Sequence, residues 1–207
     1  MPLRRCLREP IPEIEIAARH LDRAVSAHSQ GDYGAARELL RRADDPVVRE
    51  WLESVWGAGS FYSRLLRRLA EPPTIPKSER ARPRDATAAT KALIYQRDGY
   101  YCRFCKIPVI RSKIRIAIHR LYPQEVPWGS ANASQHAGFQ CVWAQYDHAF
   151  PHSHGGMSDL ANVFLTCAAC NDGRGNFLLG EQDLTHPDLH PPRTGPWDGL
   201  ERFLNRP

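Results

Sequence analysis

The sequence predicts an α+β chain: a helical N-terminal bundle joined to a small domain of two strands and a helix, with a helical insertion. Three observations predict it. Apolar residues recur at three- and four-residue steps after residue 11, as in Ile14, Ile16, Ala17, Leu21, Ala24 and Val25, which marks helices buried on one face. Two short apolar runs, Cys141–Tyr146 and Val163–Leu165, have strand length and close spacing. Four of the six cysteines form two Cys-x-x-Cys pairs, Cys102/Cys105 and Cys167/Cys170.

In order along the chain, Gly31 ends the first helix and Asp32 caps a second over Tyr33–Ala43. Asp45 followed by Pro46 is a cap and first turn for Val47–Trp56. Gly57-Ala-Gly breaks that helix, and Phe61–Leu69 starts another. The pattern Ala24, Gly31-Asp-Tyr33, Ala36, Leu40, Ala43 resembles one tetratricopeptide-type helical hairpin, which needs later helices to complete its core. Such a bundle packs against its own chain or docks a protein partner through residues 1–70.

Residues 71–85 read as a linker. Four prolines between Glu71 and Arg84 exclude a helix and favour an extended spacer. Its Arg80, Arg82 and Arg84 are not assigned to a site. Residues 86–207 form the second domain, opened by a helix over Ala88–Arg97 that Asp85 or Thr87 can cap and Asp98-Gly99 ends. An insertion spans about 106–140, with a helix over Ser112–Leu121, a turn through Pro127-Trp128-Gly129, and a short helix over Asn132–Phe139. From about residue 181 the tail is Pro-rich, with Trp197, Leu200 and Phe203 spaced for one face of a last helix.

Size and composition bound the function. With 207 residues, 42% apolar and 25% charged, the chain is long enough for a catalytic domain with an appendage. No apolar run nears the ~18 residues that span a bilayer. The basic N-terminus has no apolar segment behind it, so neither a membrane nor a secretory route is expected and the location reads as cytoplasmic. In a reducing compartment the paired cysteines are zinc ligands. The 61 residues between Cys105 and Cys167 exceed the usual ~12–20 between half-sites, which a long insertion between knuckles explains. Cys6 and Cys141 are left unpaired, with Cys141 in the first strand.

From Lys91 to Arg120 there are eight basic residues against one acidic, and from Leu121 onward four against nine. A basic stretch beside a more acidic site suits a polyanion held by one surface and cut at another, and makes the insertion a candidate nucleic-acid grip.

The chemistry concentrates in Tyr146–Asn176. Asp147 offers a hard oxygen ligand beside His148, an imidazole able to take a proton near neutral pH. Together with Asn162 and Cys167-Ala-Ala-Cys170-Asn171, this order resembles the HNH nuclease motif, whose unit is the ββα-metal fold. The step Arg97-Asp-Gly-Tyr-Tyr-Cys102-x-x-Cys105 resembles the entry to its zinc-stabilised members.

The resemblance implies a metal-dependent endonuclease that hydrolyses DNA and leaves 5′-phosphate and 3′-hydroxyl ends. His148 would be the general base, and Asp147 and Asn171 would hold catalytic Mg2+ or Mn2+. Cys102, Cys105, Cys167 and Cys170 would hold structural Zn2+, and Asn162 would brace the loop that orients the base. Asn171 stands where many members carry His, which keeps the ligand set all-oxygen and favours hard cations. His152, in the loop between the strands, could touch the scissile phosphate or hydrogen-bond across the loop, and Arg174, three residues after Asn171, could clamp a phosphate if the helix continues. Bacterial restriction or phage defence is the biological setting this architecture suggests. The alternative is a non-catalytic zinc module that binds nucleic acid through the basic insertion.

Overall fold

The computed structural model describes residues 3–57 and 74–204. The helix expected over Phe61–Leu69 lies outside them. Helix α1 (Pro12–Ser29) begins with proline and carries Glu13 and Glu15 in its first turn, where the helix dipole favours negative charge. Its stripe of Ile14, Ala17, Leu21, Ala24 and Val25 is buried, whereas Ile16 stays exposed. Gly31, at a φ of +80°, reverses the chain, and the Asp32 carboxylate accepts from Ala35 N at 2.9 Å to start α2 (Tyr33–Ala43). Asp45 accepts from Val47 N at 2.8 Å and starts α3 (Pro46–Trp56). These three helices pack as an α1–α2 hairpin with α3 alongside.

The second half begins with α4 (Ala88–Asp98), which is capped by Thr87 and not Asp85, since the Thr87 hydroxyl accepts from Thr90 N at 3.1 Å. Helix α5 (Ser112–Leu121) has the span that its periodicity predicts. The helix expected over Asn132–Phe139 is instead one 3-10 turn, Asn132–Ser134, followed by α6 (Ala137–Cys141). Cys141 therefore ends a helix and lies outside the first strand. Val142 N donates to Gly138 O at 3.1 Å, which keeps this segment coiled until Trp143.

Strand β1 (Ala144–His148) pairs antiparallel with β2 (Val163–Cys167), placing Asp147 opposite Phe164 and His148 opposite Val163. Helix α7 (Ala168–Arg174) follows at once. The architecture is α+β, with a two-stranded sheet among helices. Among the described residues no helix is long and apolar enough to cross a membrane.

The two halves share a core that runs from Ile14 and Leu52 through Ile94 and Ile114 to Leu165. Polar contacts join them as well. Arg49 on α3 donates to Asn132 O at 2.8 Å and reaches Gln135 O and Gln140. The buried His136 ring donates from Nε2 to Leu40 O at 2.9 Å and accepts at Nδ1 from Phe139 N. The N-terminal helices thus pack against the rest of this chain.

Much of the charge expected to make the insertion a nucleic-acid grip is paired within the fold, while Lys113 and Arg120 stay exposed. Arg97 and Arg103 both bind the buried Asp98, whose other oxygen accepts from Leu165 N at 2.9 Å. Arg111 and Lys113 pair with Glu201. Arg115 is buried with its guanidinium 3.7 Å from the Trp128 ring centre, and burial lowers its proton affinity. Lys91 lies over Tyr146, and Lys106 Nζ donates to Pro191 O at 2.7 Å. Seven of the eight basic residues between Lys91 and Arg120 therefore have a partner inside the fold. The tail that supplies Pro191 and Glu201 also buries Leu200 and Phe203, and Trp197 Nε1 donates to Val109 O. It forms only the 3-10 turn Glu201–Phe203 where a helix was expected.

Candidate active site and metal centre

Two ligand sets flank α7. At its start, the sulfurs of Cys102, Cys105, Cys167 and Cys170 lie within 4.8 Å of one another, and all four residues are buried. Cys105 and Cys167 sulfurs are 3.6 Å apart, close to the ~3.8 Å edge of a tetrahedron with ~2.3 Å zinc–sulfur bonds. Cys167 Sγ also accepts from Cys170 N at 3.4 Å, the backbone-to-sulfur bond of a knuckle. None of the six cysteines forms a disulfide, and the group fits a four-thiolate zinc site. It joins the turn after α4 to the junction of β2 and α7.

Beyond the other end of the hairpin, a cleft of about 400 Å³ is lined by Asp147, His148, His152, Asn171, Asp172 and Arg174, with Arg84 and Asp85 from the preceding segment. The hairpin explains the convergence. Asp147 and His148 end β1, and Asn171 lies on α7, which the zinc knuckle ties to β2.

Asp147 is 5% exposed, and Arg174, at 1%, meets it edge to edge. Arg174 Nε donates to Asp147 Oδ2 at 2.7 Å and Nη2 to Oδ1, while Nη2 also reaches His148 O and Nη1 donates to Phe177 O at 2.7 Å. Burial pushes the Asp147 carboxyl up, and the Arg174 charge pulls it part of the way back. Arg174 was expected to face a phosphate. It is instead held behind Asp147, because a carboxylate buried this deeply needs a cation.

His148 Nε2 lies 2.9 Å from Ser158 Oγ, and that hydroxyl donates its one proton to Arg84 O at 2.6 Å. Ser158 must then accept from His148, which fixes the proton on Nε2 and leaves Nδ1 as the basic lone pair. Burial, then the neighbouring His152 and Arg174, lower the pKa of His148 to about 4, so the ring is neutral at pH 7.

His152, its ring centre 5.8 Å from that of His148, donates from Nε2 to Ala81 O at 2.7 Å. Asn162 ties the ends of the connecting loop together. Its Oδ1 accepts from Phe150 N at 2.8 Å, and its Nδ2 donates to Phe150 O at 3.0 Å and Met157 O at 2.8 Å. Gly156 makes room for this, since a Cβ there would collide with Phe150 O and lie 2.8 Å from Asn162 Nδ2. Asn171 Nδ2 donates to Asp172 Oδ1 at 2.9 Å, which leaves the Asn171 carbonyl oxygen free of that bond.

Ser158 and Asp172 carry no motif signal and sequence reading passed over them, and it took Asp85 only as a helix cap. Asp172 lies beside Asn171 and adds an exposed carboxylate to the cleft. The oxygens of Asp147, Asn171 and Asp172 suit a hard divalent cation, and Asp147 keeps lone pairs beyond the two that Arg174 takes.

Comparison with known proteins points to the same stretch of the chain. The family model for HNH endonuclease matches residues 138–177, which hold both strands, the connecting loop and α7. No curated protein and no solved structure matches the chain.

Proposed function

We propose that this protein is a metal-dependent HNH endonuclease that hydrolyses phosphodiester bonds in DNA. The observation that carries the reading is the chain from His148 through Ser158 to Arg84 O, which presents a neutral imidazole with a fixed tautomer at the cleft that also holds Asp147 and Asn171. His148 takes the proton of the attacking water at Nδ1, a contribution of typically ~100- to 10,000-fold. Asp147 and Asn171 would hold the cation. When bound, Mg2+ or Mn2+ withdraws charge from the phosphoryl oxygens.

Arg174 keeps the Asp147 carboxylate ionised and aimed by holding one edge of it. Asn162 fixes the loop after β1, and His152 fastens that loop to Ala81. The products would carry 5′-phosphate and 3′-hydroxyl ends, and restriction or phage defence is the setting such an enzyme suits. A purely binding zinc module would leave the ordered tautomer of His148 without a purpose.

The test uses supercoiled plasmid with the zinc-loaded wild type and His148→Ala, in Mg2+ or Mn2+ and then in EDTA. Nicking or linearisation by the wild type alone, abolished by EDTA, is expected. Equal cutting by both proteins, or none with either ion, would overturn the assignment.

A further inference from the structure

With most basic residues of 91–120 paired inside the fold, a denser group of cations without carboxylate partners among the described residues lies on residues 74–85. This segment reads in sequence as a spacer. In the structure it is a strap bonded along the loop between the strands. Ile75 N donates to Ser153 O at 2.9 Å, and Ala81 O and Arg84 O accept from His152 and Ser158. Ile75 Cδ1 also lies 3.5 Å from where a Cβ on Gly155 would stand.

Each of these polar anchors uses strap backbone and leaves the charged side chains outside. Lys77, Arg82 and Arg84 are exposed, and Arg80 donates from Nε to Ile75 O at 3.0 Å. None of the four has a carboxylate partner within 4 Å among the described residues, although Glu79 and Asp85 lie on the same segment. Lys77, Arg80, Arg82, Arg84 and His152 line a groove of about 730 Å³, and Arg84 and His152 line the candidate active cleft too. The groove and the cleft meet at these two residues.

We infer that the strap is the substrate-backbone rail of this protein: Lys77, Arg80 and Arg82 bind phosphates of a DNA strand whose scissile phosphate sits beside His148. This rests on the endonuclease reading for what happens in the cleft, but the binding step stands apart from the chemistry. Surface guanidinium and ammonium groups with no carboxylate partner among the described residues gain most from a phosphate. Each contact that releases a condensed counterion steepens the fall of affinity with salt by about 0.9 in log–log slope on duplex DNA, and about 0.7 on single strands. Such contacts hold the strand in register without reading its sequence.

The experiment measures binding of labelled duplex DNA by zinc-loaded, full-length His148→Ala protein, without a catalytic cation, at several salt concentrations. Lys77→Ala/Arg82→Ala in that background is compared with Lys113→Ala, whose ammonium faces Glu201. The strap variant is expected to bind more weakly at every sequence tested and to lower the salt slope by about 2, with Lys113→Ala unchanged. An unchanged slope with the strap variant, while the wild type still nicks plasmid, overturns the rail and leaves the nuclease standing. If the parent protein binds no DNA at low salt and the wild type cuts none, both readings fall. Melting temperatures within a few degrees of the parent confirm that the variants compared are folded.

Discussion

Replacing Arg174 by alanine removes the partner of a buried carboxylate and leaves Asp147 with none of its Arg174 hydrogen bonds. Breaking a buried pair from one side costs about 3–5 kcal/mol, most of it the charge left behind. For a chain of this size, 1 kcal/mol moves the melting temperature by about 2–4 °C, so Arg174→Ala should melt roughly 6–20 °C lower when zinc-loaded. The origin of the loss is testable through pH. Burial already raises the Asp147 carboxyl, and losing Arg174 raises it further. The folded variant then binds a proton that the unfolded chain does not, so stability is greatest below the unfolded carboxylate pKa of ~3.9 and is lost as pH rises through the folded value. The deficit relative to wild type should therefore shrink as the pH is lowered. Asp147→Asn in the same chain should recover part of it, giving a coupling of opposite sign to the single losses. Calorimetric or fluorescence melts across pH decide the matter. A drop under 2 °C, or a double variant as unstable as the sum of the singles, would refute the account of Asp147 as a charge that Arg174 compensates.

Other outcomes follow from the same contacts. Ser158→Ala removes the acceptor of the His148 Nε2 proton, so cleavage should slow by about 2- to 13-fold, the equivalent of ~0.5–1.5 kcal/mol, with KM little changed. A loss as deep as that of His148→Ala, or none, would count against Ser158 as the residue that positions the base. Purified protein should carry about one zinc per chain, and stripping it with a strong chelator should abolish cooperative melting, since the four thiolates join α4 to α7. Retained melting with the metal gone would show that the cluster does not brace the fold. His136, neutral and buried, has its pKa lowered, first by desolvation. Its stability contribution is full above the unfolded value of ~6.5 and falls as pH drops below it, by at most about 1.4 kcal/mol per pH unit. His136→Gln, compared with wild type in denaturant melts between pH 7 and 5, should lack that component of the slope, and equal slopes would refute it.

What could be read along the chain was whatever is local. Asp32, Asp45 and Thr87 cap helices because a short side-chain oxygen reaches a backbone N–H two or three residues on, which one window of sequence contains. The Asp147-His148 step and the Cys-x-x-Cys knuckles are equally local, and the hairpin with α7 brings them together. The departures are non-local. Arg174 lies near Gly173 and Gly175 and reads as exposed. Its burial depends on Asp147, 27 residues earlier, across the end of a strand. The charge of Lys91–Arg120 looked available because its acceptors include Glu201, about 90 residues downstream of Arg111. The bond that fixes the His148 tautomer ends on the carbonyl of Arg84, and a backbone carbonyl has no residue type for a pattern to find.

Helix α7 ties these parts into one frame. One side of it bears Asn171 and Arg174 toward the cleft, and its first turn supplies Cys170 to the thiolate cluster. Its remaining side rests on the N-terminal helices at Gly173, where a Cβ would come within 2.8 Å of both Leu7 Cδ1 and Val55 Cγ1. A side chain there would force α7 away from Leu7 and α3, and with it the ends of the guanidinium that hold Asp147. The contacts made by residues 7–55 therefore bear on the position of Arg174, and through Arg174 on the carboxylate at the cleft. The bundle at the front of the chain is, mechanically, the back wall of the site.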